Sequence, residues 1–393
     1  MEEIRIVKIK RDNNFISCNL KLILSLKKIE GDMPFEEFKK TFNLQNGIIS
    51  IPQQDIILED ENGINYFCCN CIFKINISFD TINTNIQTVH IDYICVNSDK
   101  EIDDLFYKIL EVKFDKSSKC NRYLSNFSFK LNKNIIIEIG GNYIKINSIN
   151  EVKYSYLWDN FIKIYELLYL YIGTFFEIDT ISYIDVNSKV IGFISELPNK
   201  YNPQKKACIV EDHLVDINLN SINKSVIKNW KKLRKDTLQV IDVFMQTNNI
   251  DELYLENRVC MLLQCMEGFY RCTHTDTKEF WEILDTNFSI KRETANILST
   301  SDKRKIPVSN RKEKIFLYKA KNHRNYFSHL NKKERKSLFY GLQTPYAYWK
   351  INLCFRVILL NYLSVNYDKN RRNTIISTID SFKKKYKFRL NAK

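Results

Sequence analysis

Apolar residues recur at two different periods in this chain, and the change of period constrains its fold more than any other feature. Between residues 47 and 149 they come in short β-branched and aromatic runs: "GIISIPQQDIILED", "NYFCCNCIFKINISF", "QTVHIDYICV" and "NIIIEIGGNYIKINSI". Runs of this kind, broken by Asn, Asp and Gly, are strand patterns. "ENG" (Glu61–Gly63) and "IGGN" (Ile139–Asn142) have the composition of hairpin turns. From Ser225 onward the spacing becomes helical. In "DELYLENRVCMLLQCMEGFYRCTH", residues Leu255, Val259, Leu262, Leu263, Met266, Phe269 and Tyr270 fall at three- and four-residue intervals. "VIKNWKKLRKDTLQVIDVFMQ" precedes this helix and "RKEKIFLYKAKNHRNYFSHL" follows it. "YAYWKINLCFRVILLNYLSVNY" comes last, with Pro345 at its start.

The expected fold class is therefore α+β, with a β-rich N-terminal domain followed by an all-α helical bundle. The length of 393 residues suits roughly two or three domains. Residues 1–200 form the β-rich domain in this reading, 201–223 a linker containing Pro203 and many Asn, and 224–393 the helical domain with a basic tail. Two long apolar stretches need a place. "YSYLWDNFIKIYELLYLYIGTFF" (Tyr154–Phe176) has helical length and is apolar on nearly every face, so it is expected to be buried against the sheet. The final helix is apolar almost all round, which makes it either central to a bundle or shared with a partner chain. The runs Leu167–Phe176 and Val357–Leu363 fall well short of the ~20 residues that span a bilayer, so no membrane partner is expected. "MEEIRIVKIKRDNN" carries charges where a signal peptide is apolar, which leads to the expectation of a cytoplasmic protein.

Charge is segregated. From Asp302 to Lys393 there are 24 Lys and Arg against 5 Asp and Glu, a net +19, while the remainder of the chain is net −5. A general drift toward lysine would raise charge everywhere. A concentrated basic region instead suits a polyanionic partner, with nucleic acid the first candidate and a solvated basic face the plain alternative. The eleven cysteines lie in apolar segments and read as reduced core residues. "CCNC" (Cys68, Cys69, Cys71) has no second pair at zinc-site spacing, so neither a metal nor a cofactor is expected. Phosphate-loop, HExxH and GxSxG patterns do not occur.

The basic region contains "KNHRNYFSHLNKKERK" (Lys321–Lys336), which holds two of the chain's five histidines. Cutting RNA without a metal requires a base for the 2′-OH and a fixed cation at the phosphate. Histidine suits the first role and arginine the second. His329 and Arg324 are the candidates. A helix advances about 100° per residue, so Asn325 and His329 share a face while Arg324 and His329 lie about 140° apart. The angle predicts that the two would not converge within one regular helix. Either the helix is irregular at Arg324, or two copies complete one site across a two-fold axis.

"RNYFSH" resembles the motif of the HEPN ribonucleases, an Arg followed by a polar residue and then a His. The helix carrying Glu267 and the closing helix "YWKINLCFRVILLNYLSV" are similar to those of the ApeA-type branch. "GIISIPQQD" and "YSYLWDNFIKIYELLYLYIGTFFEIDTISYI" resemble the β-rich domain that precedes it. This resemblance implies a metal-independent endoribonuclease of an anti-phage abortive-infection system, dimeric through the HEPN domain and acting on RNA, in many members tRNA. It implies that His329 acts on the 2′-OH, that Arg324 contacts the scissile phosphate and that Asn325 orients the pair. The products would be 2′,3′-cyclic phosphate and 5′-OH ends. The N-terminal domain would hold the enzyme quiet until a phage-encoded trigger arrives. Glu267 is a supporting candidate, although Glu267 and Arg271 also make an ordinary i, i+4 ion pair. His323 is the other supporting candidate, and Lys321, Lys332, Lys333, Arg335 and Lys336 are candidate RNA contacts; His323 and Lys321, which flank the motif, suit plain solvated positions equally well. The competing reading across classes is a non-catalytic RNA-binding or dimerisation module whose function is carried by the N-terminal domain.

Overall fold

The computed structural model describes residues 4–11, 14–16, 18–24, 28–34, 37, 54–77, 83–98, 106–114, 124, 126–173, 175–176, 178–185, 190–195, 219, 222–249, 253–275, 279–280, 282–283, 311–329, 338–341 and 343–365. The fold is mixed α+β. It divides into two compact units that interleave in sequence. The first comprises Met1–Lys116, Ser128–Phe161 and Ile178–Leu197; the second comprises Ser117–Phe127, Ile162–Glu177 and Pro198–Lys393. Most of the expected 201–223 linker lies outside the described residues.

The first unit is built on strands β1 (Ile4–Arg11), β2 (Asn14–Phe15), β3 (Asn19–Ile23), β4 (Lys28–Pro34), β5 (Gln54–Asp60), β6 (Asn65–Ile77) and β7 (Asn83–His90). It continues with β8 (Tyr93–Val96), β9 (Tyr107–Phe114), β10 (Phe127–Lys130), β11 (Ile135–Gly140), β12 (Tyr143–Val152), β13 (Ile178–Asp185) and β14 (Val190–Ser195). The strands of the barrel, and those of the extension from β8 to β11, pair antiparallel. The order β6-β5-β1-β3-β4-β7 closes on itself because β7 also pairs with β6, which makes a six-stranded barrel. Closure removes the free edges that an open sheet would expose. The barrel core is filled by alternate residues of its strands, among them Val7, Ile9, Leu20, Leu22, Ile29, Met33, Ile56, Leu58, Phe73 and Ile86.

β6 is the strand at which the sheet forks. Along one edge, Tyr66–Cys69 pair with β8 and Ile72–Ile77 pair with β7. The switch occurs at a bulge. Ile56 faces Cys68 but Gln54 faces Cys71, so β6 carries one extra residue there. Asn70 takes φ 53°, a left-handed conformation that asparagine tolerates. Its N–H is held by Asp55 Oδ1 at 2.8 Å and its amide donates to Asp92 Oδ2 at 2.6 Å. The bulge also explains "CCNC". Cys68 and Cys71 would face opposite sides of a regular strand, yet both enter the barrel core. The nine cysteines described are free thiols. "QTVHIDYICV", which reads as one run, is two strands: β7 in the barrel and β8 in the open extension β8-β14-β13-β9-β12-β11-β10.

Both expected hairpin turns form. Gly63, at φ +75°, turns β5 into β6, and Asp60 organises the turn. Its carboxylate accepts the N–H groups of Asn62 and Ile64, both at 2.9 Å, and the Tyr66 hydroxyl at 3.0 Å. Burial alone would push this carboxyl up. The bonds from Ile64, Tyr66 and Asn62, with the charge of Arg5, outweigh burial and hold it below the ordinary carboxylate value.

Helix α1 (Tyr154–Ile172) corrects an expectation. It is buried as anticipated, but it does not belong wholly with the sheet, because residues from Ile162 onward are part of the helical unit. That unit also contains α2 (Lys224–Asn249), α3 (Leu255–Thr273), α4 (Arg311–His329) and α5 (Gln343–Tyr362). The later turns of α1 are apolar on nearly every face and pack against α2. Tyr169 packs on Phe244 with ring centroids 5.9 Å apart, the Lys163 carbonyl receives Trp230 Nε1 at 2.8 Å, and the fully buried Glu166 pairs with Arg234. The Asn223 side chain caps the start of α2 by accepting the N–H groups of Ser225 and Val226. At Thr237 the backbone leaves helical geometry (φ −136°, ψ 29°), which kinks α2.

α5 resolves the alternative left open for the final helix. Fifteen of its residues are buried, so it is the central helix of this unit. Its aromatic ring Phe355 meets Phe244 at 4.9 Å and Phe269 at 5.8 Å. Arg356 donates twice to the Leu170 carbonyl, at 3.2 and 2.9 Å.

Asp60→Ala removes one acceptor from three donors at the β5–β6 turn. The expected result is a loss of about 1–3 kcal/mol, read as a lower urea midpoint with unchanged cooperativity. An unchanged midpoint would contradict this account of the turn.

Candidate active site

α3 and α4 run side by side in the same direction. The buried His323 ring donates from Nε2 to the Glu256 carbonyl at 3.0 Å. Cys260 Sγ approaches the Arg324 carbonyl at 3.9 Å and Ser328 Oγ at 3.8 Å, and Gln264 Nε2 donates to Ser328 Oγ at 3.2 Å. Successive contacts lie further along both helices, which makes the pair parallel. Glu267 and Arg271, near the end of α3, therefore come beside the last turns of α4.

There the side chains converge on the Arg324 guanidinium. Nη2 donates to Glu267 Oε2 at 2.7 Å, a charge-assisted bond. Nη1 makes two longer contacts, to Asn325 Oδ1 at 3.3 Å and to His329 Nε2 at 3.4 Å. The Phe280 ring lies 4.9 Å from the guanidinium carbon. The other Glu267 oxygen accepts Arg271 Nε at 3.0 Å and Nη2 at 2.7 Å. One carboxylate thus bridges two arginines. The Glu267 and Arg324 side chains are 12% and 20% exposed, so this ion pair is sheltered while remaining open on one side. His329 is exposed at the end of the helix. In its contact with Arg324, Nε2 accepts, so the lone pair of that nitrogen faces the cluster.

Arg324, Asn325, His329 and Glu267 are therefore brought together within one chain, and the expectation that Arg324 and His329 diverge is corrected. The wheel angle describes where each side chain leaves the helix. It does not describe the reach of a long, jointed arginine whose guanidinium lies well away from its own Cα. No second chain is needed to bring Arg324 beside His329, and the homodimer remains an implication of the resemblance alone.

His323 does not join the cluster. Phe316, Ala320, His323 and Phe327 stand at i, i+4, i+7 and i+11, on the stripe of α4 that faces inward, and His323 is 0% exposed between the Phe327 and Phe339 rings. A role for it on RNA is excluded by that burial. Lys321 is half-buried, one helical turn before Asn325. Lys332, Lys333, Arg335, Lys336 and the basic tail lie outside the described residues. The sequence reading did not single out Arg271, Gln264 or Phe280 as site residues. Arg271 and Gln264 stand at i+4 and i−3 from Glu267, a signal that helix spacing carries. Phe280 has no comparable signal. Among the described residues, no group of three or more His, Cys, Asp or Glu is arranged to hold a metal ion, and no helix is long and apolar enough to cross a membrane.

No protein-family model, no curated protein and no solved structure matches the chain.

Burial pushes the His323 imidazole below its ordinary value of 6.5, outweighing the Glu256 carbonyl. Above that value the ring is neutral whether the chain is folded or unfolded. As pH falls below it, the unfolded chain takes up a proton that the folded chain refuses, so stability declines until the folded value is passed. His323→Gln, which keeps a donor but does not titrate, should flatten this decline in a series of melting curves below pH 6.5. An equal decline in both proteins would remove His323 as its source.

Proposed function

We propose that this chain is an endoribonuclease whose site is the cluster of Arg324, Asn325 and His329, with Glu267 holding the arginine. The observation that carries this reading is the 3.4 Å approach of Arg324 Nη1 to His329 Nε2 within a single strongly basic helix. It sets a phosphate-matching cation beside a nitrogen able to accept a proton, the two functions that metal-free RNA cleavage requires.

In the proposed reaction a phosphate oxygen replaces the weak contacts at Nη1, while Nη2 stays with Glu267. His329 Nε2 takes the proton of the neighbouring 2′-OH. The 2′ oxygen bonds to phosphorus, the P–O5′ bond breaks, and the departing 5′ oxygen takes a proton from water. Arg324 offsets the charge that builds on the phosphate oxygens, and Asn325 keeps the arginine and histidine in register. The products are a 2′,3′-cyclic phosphate and a 5′-OH.

The resemblance to ApeA-type HEPN ribonucleases supports the same reading and extends it. On that footing the helical unit is a HEPN bundle that forms a homodimer, the substrate is tRNA, and the β-rich unit restrains the enzyme until phage infection supplies a trigger.

The test is cleavage of end-labelled tRNA and single-stranded RNA by the full-length protein, with and without extract from phage-infected cells. Arg324→Ala and His329→Ala should each lower the rate by about 10²–10⁴-fold, and a chelator should leave it unchanged. New 5′ ends should accept label from a polynucleotide kinase without prior dephosphorylation. RNA that is bound but never cut, under any trigger, would favour the non-catalytic binding module. Cleavage that persists in both alanine variants would move the site elsewhere.

A further inference from the structure

α4 is a continuous helix, and the face it leaves open is not uniform. Tyr318, Lys321, Asn325 and His329 follow at three- and four-residue intervals, so they lie along one stripe. The buried stripe of Phe316, Ala320 and His323 occupies another side. Tyr318 is 53% exposed, which leaves its ring open to solvent. The helix carries Arg311, Lys312, Lys314, Lys319, Lys321 and Arg324 against one acid, Glu313. An exposed aromatic ring, a lysine, an amide and the proposed catalytic histidine thus form one line on a cationic rod.

We propose that this stripe is a track for single-stranded RNA, with Tyr318 as a stacking platform for one unpaired base at a fixed distance from the scissile phosphate. This rests on the ribonuclease reading for its polarity, because His329 marks the cleaved end. Tyr318 and His329 are eleven residues apart, roughly 16 Å along the axis. A strand that advances about 3.4 Å per nucleotide when stacked, and about twice that when stretched, covers the distance in roughly two to five nucleotides. A duplex cannot offer a base face to Tyr318, so the substrate class is a single strand or the loop of a folded RNA. The net +19 of the region from Asp302 onward favours nucleic acid over a protein partner, because an apolar protein contact would not call for it.

Binding can be separated from cleavage by working in full-length protein carrying His329→Ala. The probe is fluorescein-labelled oligoadenylate, with the same RNA annealed to its complement as the duplex control. Adding Tyr318→Ala should weaken single-strand binding by about 5- to 150-fold, and Tyr318→Phe should stay within about 2-fold of the parent. An abasic nucleotide at one position should reproduce the loss in the parent and add nothing in the Tyr318→Ala protein. Equal binding by the parent and the Tyr318→Ala protein would overturn the proposal, as would an equal loss in the Phe variant. A change of oligomeric state on Tyr318→Ala, measured by light scattering, would also overturn it, since the ring would then face a second copy of the chain. Tyr318-dependent binding with no cleavage by the unmodified protein would sink the ribonuclease reading and leave the platform standing. Cleavage that does not depend on Tyr318 would do the reverse.

Discussion

The arrangement around Arg324 depends on the carboxylate of Glu267. A guanidinium on a solvent-facing helix would sample many rotamers, and ordering it opposes roughly 2 kcal/mol of side-chain entropy. Glu267 reaches it at 2.7 Å from the neighbouring helix, in a setting where both side chains are mostly sheltered. The bond crosslinks α3 to α4, and Arg271 braces the carboxylate from its other oxygen. A lone carboxylate in that position would lower the net charge of the cluster to zero. With two arginines on one acid, the trio keeps a net positive charge facing solvent, which favours an anionic ligand.

That crosslink is useful only if the two helices are themselves fixed, and α5 packs on both: Phe355 meets Phe269 of α3 at 5.8 Å and Tyr346 meets Phe316 of α4 at 6.1 Å. It is buried along almost its whole length, and several of its buried side chains are polar. The Tyr348 hydroxyl donates to Asn248 at 2.7 Å, Asn352 donates to the same amide oxygen, and Asn352 also reaches the Tyr169 hydroxyl at 3.3 Å. A buried amide without partners costs about 1–3 kcal/mol, so each of these bonds favours one register of α5 against α1 and α2. Burial pushes the Tyr169 phenol well above its ordinary range, which keeps it a neutral hydrogen-bonding group. Arg356 adds the same kind of constraint through the Leu170 carbonyl.

The elements legible in the sequence are those set by local pattern. The turns at Asp60–Gly63 and Gly140–Gly141, the helical runs ending near Thr273 and His329, and the nearly all-round apolar character of α5 all follow from patterns within a few residues. Barrel closure is not local. It depends on β7 pairing with both β4 and β6, between segments whose own patterns would suit an open sheet equally well. The bulge at Asn70 sits inside "CCNC", where a turn-tolerant asparagine separates core thiols, a signal that metal-ligand spacing does not carry. At the site, Glu267 could be seen with Arg271 because they share a helix, but its second partner stands 57 residues away. His323 was legible and misassigned. Its place on the Phe316, Ala320, Phe327 stripe identifies it as an interior residue before any coordinates are known.

The unequal bonds on Arg324 say where a ligand would enter. The Nη2 bond to a carboxylate is short and charge-assisted, while Nη1 is divided between two neutral acceptors at 3.3 and 3.4 Å. A phosphate oxygen competes poorly for the first and well for the second, because it offers a full charge where the present partners offer only dipoles. Exchange at Nη1 leaves the crosslink to α3 intact and releases His329 Nε2 next to the incoming group. The strong bond then positions the arginine, the weak ones keep a place for the anion, and the proton acceptor is freed by the same event that seats the phosphate. For the proposed reaction, this makes base and cation a coupled pair in one chain. A second copy is then not required to complete the chemistry, and any dimer would act on substrate path or on restraint.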